Sequence, residues 1–174
     1  RQRSQDNLVL LLMRVCDVAF ALALITRIQE AQDDLNRGYD DVQLYAAPVR
    51  LDRYSSDLKE VFDRVWNDLE SNRQHRDVRV LDQGGLFDRC CEIDENAMMR
   101  VFRNILDNSL AACKDPVEIE LVWSTTTIDG VNAVQLSIGN NGPALSDDEA
   151  GRLFDAFYTT KIHGTGLGMS IAKR

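Results

Sequence analysis

Residues Ile138 to Met169, IGNNGPALSDDEAGRLFDAFYTTKIHGTGLGM, decide how the rest of the chain is to be understood. The stretch holds six of the chain's ten glycines, so its backbone is suited to sharp turns and to close approach of a ligand. At its end Gly164, Thr165, Gly166, Leu167 and Gly168 run into Met169–Arg174, which reads as the start of a helix. A helix start presents unpaired N–H groups and a partial positive charge to whatever lies in front of it. An anion such as a triphosphate fits there. GTGLG alone is equally compatible with an ordinary turn capping a helix.

The neighbours of that turn weigh against coincidence. Val134 to Ile138 alternates like a strand and runs into a second turn signal, Asn140-Asn141-Gly142-Pro143. Phe154 to Lys161 supplies aromatics followed by a cation, as a loop folding over a nucleotide would need. Upstream, Met98 to Ala112 is helical in pattern and carries Asn104 and Asn108. Four residues apart, they share one helix face, one turn above the other.

In this order, Asn104-x-x-x-Asn108, NNGPA at Asn140 to Ala144, FDAFYTTK at Phe154 to Lys161 and GTGLG at Gly164 to Gly168 resemble the N, first-glycine, F and second-glycine boxes of sensor histidine kinases. These kinases belong to the wider class of Bergerat-fold (GHKL) ATPases. The resemblance spans roughly residues 50 to 174, and four boxes in order are far more specific than any one of them. It implies ATP and Mg²⁺ as cofactors. Asn108 corresponds to the metal ligand; its neutral amide oxygen suits Mg²⁺ while leaving most coordination positions to phosphates and water. Asn104 and Lys161 correspond to the catalytic positions, Asn104 supporting the phosphates and Lys161 pairing with the terminal one. Asn140, Gly142, Ala144, Thr160, Gly164, Thr165, Gly166, Leu167 and Gly168 complete the implied nucleotide contacts. Phe157 and Tyr158 are expected as packing residues of the lid.

Two positions depart from the family pattern. Asn140 stands where the family has an aspartate that accepts a hydrogen bond from the adenine amino group. Loss of that charge assistance weakens binding by about 1–2 kcal/mol, on the order of tenfold. An amide, unlike a carboxylate, can also turn over and face a guanine edge. Ala144 replaces the box's second glycine, which disfavours a left-handed backbone there.

The family's phosphoacceptor is a histidine on the first dimerisation helix. This chain has only His75, in a charged connector, and His163, in the presumed lid, so the acceptor is expected upstream of Arg1.

A net charge of −8 argues against a nucleic-acid surface. Cys16, Cys90, Cys91 and Cys113 lack metal-ligand spacing and are expected as buried thiols of a reducing compartment. From Arg1 to about Ala47 the apolar runs predict a helical hairpin, turning near Arg14 to Val18, with a second helix from Ala19 to Tyr45. Charges between the runs make a membrane span costly. The second helix carries a heptad seam of Ala21, Ile28, Leu35 and Val42 with Leu24, Ala31, Gly38 and Tyr45. Dimerisation into a four-helix bundle is favoured over packing on the chain's own second domain, because so long a helix outruns a small domain. Pro48 ends it.

Beyond Pro48 the pattern is α+β. Short strands are predicted at Val49–Leu51, Asp77–Leu81 and Arg89–Ile93, and a helix capped by Ser56 from Asp57 to about Ser71. Asp94 caps the asparagine helix, and Val117–Thr125 pairs with Val131–Ile138 through Asp129-Gly130. Ser146 to Glu149 has capping-box spacing.

The chain is thus expected as residues 1–48, a dimerisation and phosphoacceptor-type domain, and residues 49–174, an ATP-binding α/β sandwich of the Bergerat type. The resemblance implies a cytoplasmic protein-histidine kinase core passing the γ-phosphoryl of ATP to a histidine and then to a response-regulator receiver domain. It implies a homodimer, with neither nucleic acid nor membrane contact in this chain. A non-catalytic nucleotide-sensing scaffold is the alternative. An ATP-hydrolysing clamp is disfavoured, since such clamps carry a glutamate where Asn104 stands and an amide is no general base.

Overall fold

The structure, a computed structural model, describes residues 2–85, 87–161 and 164–174, with side chains from Val18 onward except Glu30. In chain order the elements are α1 (Gln2–Ala46), β1 (Tyr54–Asp57), α2 (Leu58–Asp68), α3 (Glu70–Arg73), β2 (Val78–Gln83) and β3 (Cys90–Ile93). They continue with α4 (Glu95–Ala112), β4 (Val117–Ile128), β5 (Val131–Asn140), α5 (Asp147–Arg152) and α6 (Gly168–Lys173). The expected α+β class is what is found, with a helical N-terminal end and a sheet that the structure shows to be mixed.

Strand β4 decides where the core lies. Val117, Ile119, Leu121 and Trp123 point to one face and are buried, while Glu118, Glu120, Val122 and Ser124 point to the other and are exposed. That period of two makes a sheet covered on one side. The cover is a helical layer: Val61, Phe62, Val65 and Leu69 from α2 and the residue after it, with Phe102, Leu106 and Leu110 from α4. Phe62 and Phe102 meet edge to face at 5.5 Å between ring centroids.

Two small sheets result. β1 pairs antiparallel with β3, and β2–β4–β5 form a mixed sheet in which β2 and β4 are parallel. A parallel neighbour needs a long crossover, and β3 with α4 supplies it. The β4–β5 turn is Asp129-Gly130, both with positive φ (51° and 81°), matching the primed turns that suit a twisted hairpin.

Helix α4 is held at both ends. Asp94 accepts from the Ala97 N–H at its start. At its end Arg76 donates to the carbonyls of Leu110 and Cys113, placing a cation on the negative pole.

Several sequence expectations need correction. The hairpin turn near Arg14 to Val18 is absent: the backbone passes through it as one helix from Gln2 to Ala46. Arg14, Val15, Cys16 and Asp17 include no glycine or proline, and a change from apolar to charged residues does not by itself break a helix. Val49–Leu51 is not a strand; the first strand lies at Tyr54–Asp57, where β3 gives its backbone a partner. Ser56 belongs to that strand, and Asp57 caps α2 instead. The strands expected around Asp77–Leu81 and Arg89–Ile93 form, but neither pairs with the other. Among the described cysteines only Cys113 is buried; Cys90 is exposed and Cys91 half-buried. The Cys16 side chain and His163 lie outside the described residues.

Candidate functional site

Helix α4 collects the sequence boxes. Its buried face supplies Phe102, Leu106 and Leu110 to the core, which leaves Asn104 and Asn108 half-buried beside it. Asn104 Nδ2 donates to the Gly168 carbonyl at 2.9 Å, tying the asparagine helix to the start of α6. One turn on, Asn108 Oδ1 accepts from Lys161 Nζ at 2.6 Å. Ser109, the next residue, accepts from Asn140 Nδ2 at 3.3 Å, and Cys113, the residue after the last turn, donates its thiol to Asn140 Oδ1 at 3.3 Å. Asn140, Lys161 and Gly168, all distant from α4 in sequence, are therefore fastened to one helix.

The glycine turn is shaped by backbone contact. Gly166 has φ of +68°, and a Cβ there would stand 2.4 Å from the Phe157 carbonyl carbon and 2.7 Å from the Tyr158 nitrogen. Only glycine meets both conditions. Leu167 is buried, its N–H donating to Thr165 Oγ1 at 3.3 Å and its carbonyl accepting from Ser170 Oγ at 2.8 Å. Thr165 Oγ1 in turn donates to Asp41 Oδ2 at 2.6 Å, a contact from α1 that the motif pattern did not show.

Other expected site residues are placed less centrally. Thr160 and Ala144 are exposed. Ala144 does not have a positive φ, so the missing glycine imposes no backbone strain here. Phe157 is 65% exposed and meets Tyr45 of α1 edge-on at 6.3 Å rather than packing inside a lid. Tyr158 is half-buried under the Arg152 guanidinium at 4.2 Å. A cavity of about 920 Å³ opens not at Asn140 but between α1 and Gly164–Thr165, with Arg27, Leu35 and Arg37 in its wall.

Burial lowers the pKa of Lys161, with the nearby Asp107 carboxylate acting in the opposite direction. A phosphate nearby would act in the same direction as that carboxylate, favouring the charged lysine. Ser109 and Cys113 were missed by motif spacing. Nothing in the spacing points to them, since Ser109 lies on the buried face of α4 with Phe102 and Leu106, and Cys113 lies just past the helix end.

In this structure the amide of Asn140 has one orientation. Its Oδ1 accepts the Gly142 N–H at 2.9 Å, and a backbone N–H has no lone pair to offer Nδ2 in exchange.

Residues 93–174 match the family model described as histidine kinase-, DNA gyrase B-, and HSP90-like ATPase. This segment belongs to that ATPase family. The adaptive-response sensory kinase SasA of Prochlorococcus marinus (strain MIT 9313) is 30% identical over 172 residues, covering 84% of this chain and 43% of the relative. The nucleotide-free catalytic domain of histidine kinase ThkA superposes with a TM-score of 0.61 at 24% identity, covering 70% of this chain and 78% of that one. ThkA in complex with the response regulator protein TrrA gives 0.65 at 19% identity, covering 83% and 40%. At those identities the two structures establish the fold. The resemblance to sensor histidine kinases is thereby borne out, and the ATPase domain is of histidine-kinase type. The chain spans less than half the length of the curated relatives it matches. Among the described residues no helix is long and apolar enough to cross a membrane.

Proposed function

We propose that this chain is the nucleotide-binding catalytic core of a cytoplasmic protein-histidine kinase of a two-component system, using ATP and Mg²⁺. One observation carries it: α4 holds Asn104 on Gly168, Asn108 on Lys161 and Ser109 on Asn140, which brings the four boxes around one helix. Residues 1–48 serve dimerisation and residues 49–174 bind nucleotide. Two copies associate through the apolar side chains of α1, among which Phe20, Ile28 and Leu35 are exposed. ThkA's complex with a response regulator supports a receiver domain as the phosphoryl destination.

The residues present fit a magnesium ion held mainly by phosphates. Asn108 offers one hard amide oxygen, and the described residues include no cluster of three or more His, Cys, Asp or Glu side chains that would hold a metal without them. When bound, the ion neutralises charge on the phosphates as the phosphoryl group is transferred. Asn104 positions the glycine turn through the Gly168 carbonyl. Lys161 is the chain's cation for the terminal phosphate, and moving there leaves the Asn108 oxygen free for the metal. Neither histidine lies on α1: His75 occupies the turn between α3 and β2, and His163 is at 163. The acceptor imidazole is therefore supplied from outside these 174 residues.

Thermal melting with ATP tests this. A hundredfold excess over the dissociation constant stabilises a binding fold by about 2.7 kcal/mol. The expected result is a rise in Tm with ATP and Mg²⁺ together, whose magnesium-dependent part is lost in Asn108→Ala. A Tm unmoved by saturating ATP and Mg²⁺ contradicts the proposal.

A further inference from the structure

We infer that Asp41 of α1 opposes the triphosphate: its carboxylate takes the one hydroxyl proton of the glycine turn, so that α1 rests on the turn without phosphates and is displaced when they arrive. This rests on the nucleotide site proposed above and adds a residue, outside the sequence boxes, that sets its affinity.

The face that α1 turns toward the rest of the chain is narrow. Among its described residues from Val18 on, only Asp34, Gly38, Asp41, Leu44 and Tyr45 are not exposed. Asp34, Gly38, Asp41 and Tyr45 follow one another at steps of four, three and four, which places them along one side of the helix. An apolar stripe would hold such a joint by burial. This one carries two carboxylates and a glycine instead.

Thr165 has a single hydroxyl proton and gives it to Asp41 Oδ2 at 2.6 Å. The same oxygen accepts the Leu167 N–H at 3.3 Å, which turns a donor at the entry to α6 inward as well. Gly164 and Thr165 line the cavity of about 920 Å³ beside α1, so the turn faces open volume there. A phosphate oxygen at Thr165 competes with Asp41 for that one proton. Both are anions, so each raises the free energy of the other.

Nothing nearby cancels the carboxylate. Asp34 is paired with Arg37, whereas among the described residues no ion pair involves Asp41. The joint's other contacts are Tyr45 against Phe157 and the Arg174 guanidinium on the carbonyls of Tyr45 and Ala47, and none of them carries a negative charge. Sensitivity to phosphate therefore lies at Asp41. If α1 on the turn weakens triphosphate binding, the triphosphate loosens α1 by the same factor.

The test is calorimetric titration of the 174-residue chain and of Asp41→Asn with Mg²⁺ and either ADP or a non-hydrolysable ATP analogue. Asparagine keeps the size and an acceptor oxygen while removing the charge. The expected result is binding of the ATP analogue tightened by about fivefold in Asp41→Asn, a gain that shrinks as salt is added. ADP, with one phosphate fewer, gains less. Unchanged or weaker binding of the analogue, or an equal gain for ADP, overturns the inference while leaving the nucleotide site standing. Should Asp41→Asn fail to fold, as judged by circular dichroism, the unaltered chain gives the reciprocal reading by hydrogen exchange. Residues 38–47 are then expected to exchange faster with the ATP analogue than without it, and exchange that is no faster overturns the inference. Binding of neither nucleotide by either chain overturns the site and the inference together.

Discussion

Along α1, Phe20, Leu22, Ile28 and Leu35 remain between 57% and 74% exposed, whereas Phe102, Leu106 and Leu110 of α4 are at most 6% exposed. The apolar residues of α4 gather on one face, whereas those of α1 are spread around it, Phe20 and Leu22 lying on nearly opposite sides. Helix α4 has α2 and the β4 face of the sheet to pack on, and its remaining sides hold the glycine turn and Asn140. Helix α1 touches the rest of the chain mainly near its last turns, through Asp41 to Thr165, Tyr45 to Phe157, and the Arg174 side chain on the carbonyls of Tyr45 and Ala47. Periodicity announces that a face wants burial; it does not say who provides the cover.

Truncation in the two helices gives the largest contrast. Leu106 is fully buried, and Leu106→Ala is expected to cost about 2–5 kcal/mol in urea unfolding. Leu35→Ala, at 74% exposure, is expected to change the unfolding of the isolated chain by no more than about 0.5 kcal/mol. It is expected instead to weaken self-association in sedimentation equilibrium. A large monomer effect at Leu35, or none at Leu106, breaks the comparison.

Gly166→Ala probes the contact that makes α4's surroundings specific. The substitution meets a left-handed backbone and a Cβ 2.4 Å from the Phe157 carbonyl carbon. It is expected to cost about 2–4 kcal/mol and to remove the nucleotide-dependent rise in Tm.

A smaller effect sharpens the picture at the helix start. Asp94 caps α4, while α1 has no acidic residue in its first turn. Hydrogen bonds from the Ala97 N–H, and then from the Asp52 N–H, hold the Asp94 carboxyl below the usual aspartate range. A lowered folded pKa contributes stability above the unfolded value, and that contribution disappears as the pH falls through the folded one. Asp94→Ala is therefore expected to lose stability near neutrality and less of it in acid, so that the variant's unfolding curve is flatter with pH. An equal loss at every pH contradicts the cap.

What was legible in the sequence was local chemistry. Asp94 as a cap, Asp129-Gly130 as a hairpin turn and the Ser146–Glu149 capping box each depend on residues a few positions apart, and each forms. Beyond the β4–β5 hairpin, strand partners were not legible, because the parallel pairing of β2 with β4 depends on how α4 folds back between them. The break expected near Arg14 had no turn residue behind it, only a change of polarity. Within the candidate site, the asparagines and glycines could be read from spacing. Ser109, Cys113 and Asp41 could not, since tertiary approach alone makes them partners of Asn140 and Thr165.

Hydrogen exchange read by mass spectrometry, with and without Mg²⁺ and a non-hydrolysable purine triphosphate, tests most directly whether α4 organises a nucleotide site. Slower exchange is expected in peptides covering residues 104–113, 140–142 and 157–168, with residues 18–35 of α1 unchanged. Protection confined to α1, or none along α4 at saturating nucleotide, contradicts the assignment of the site.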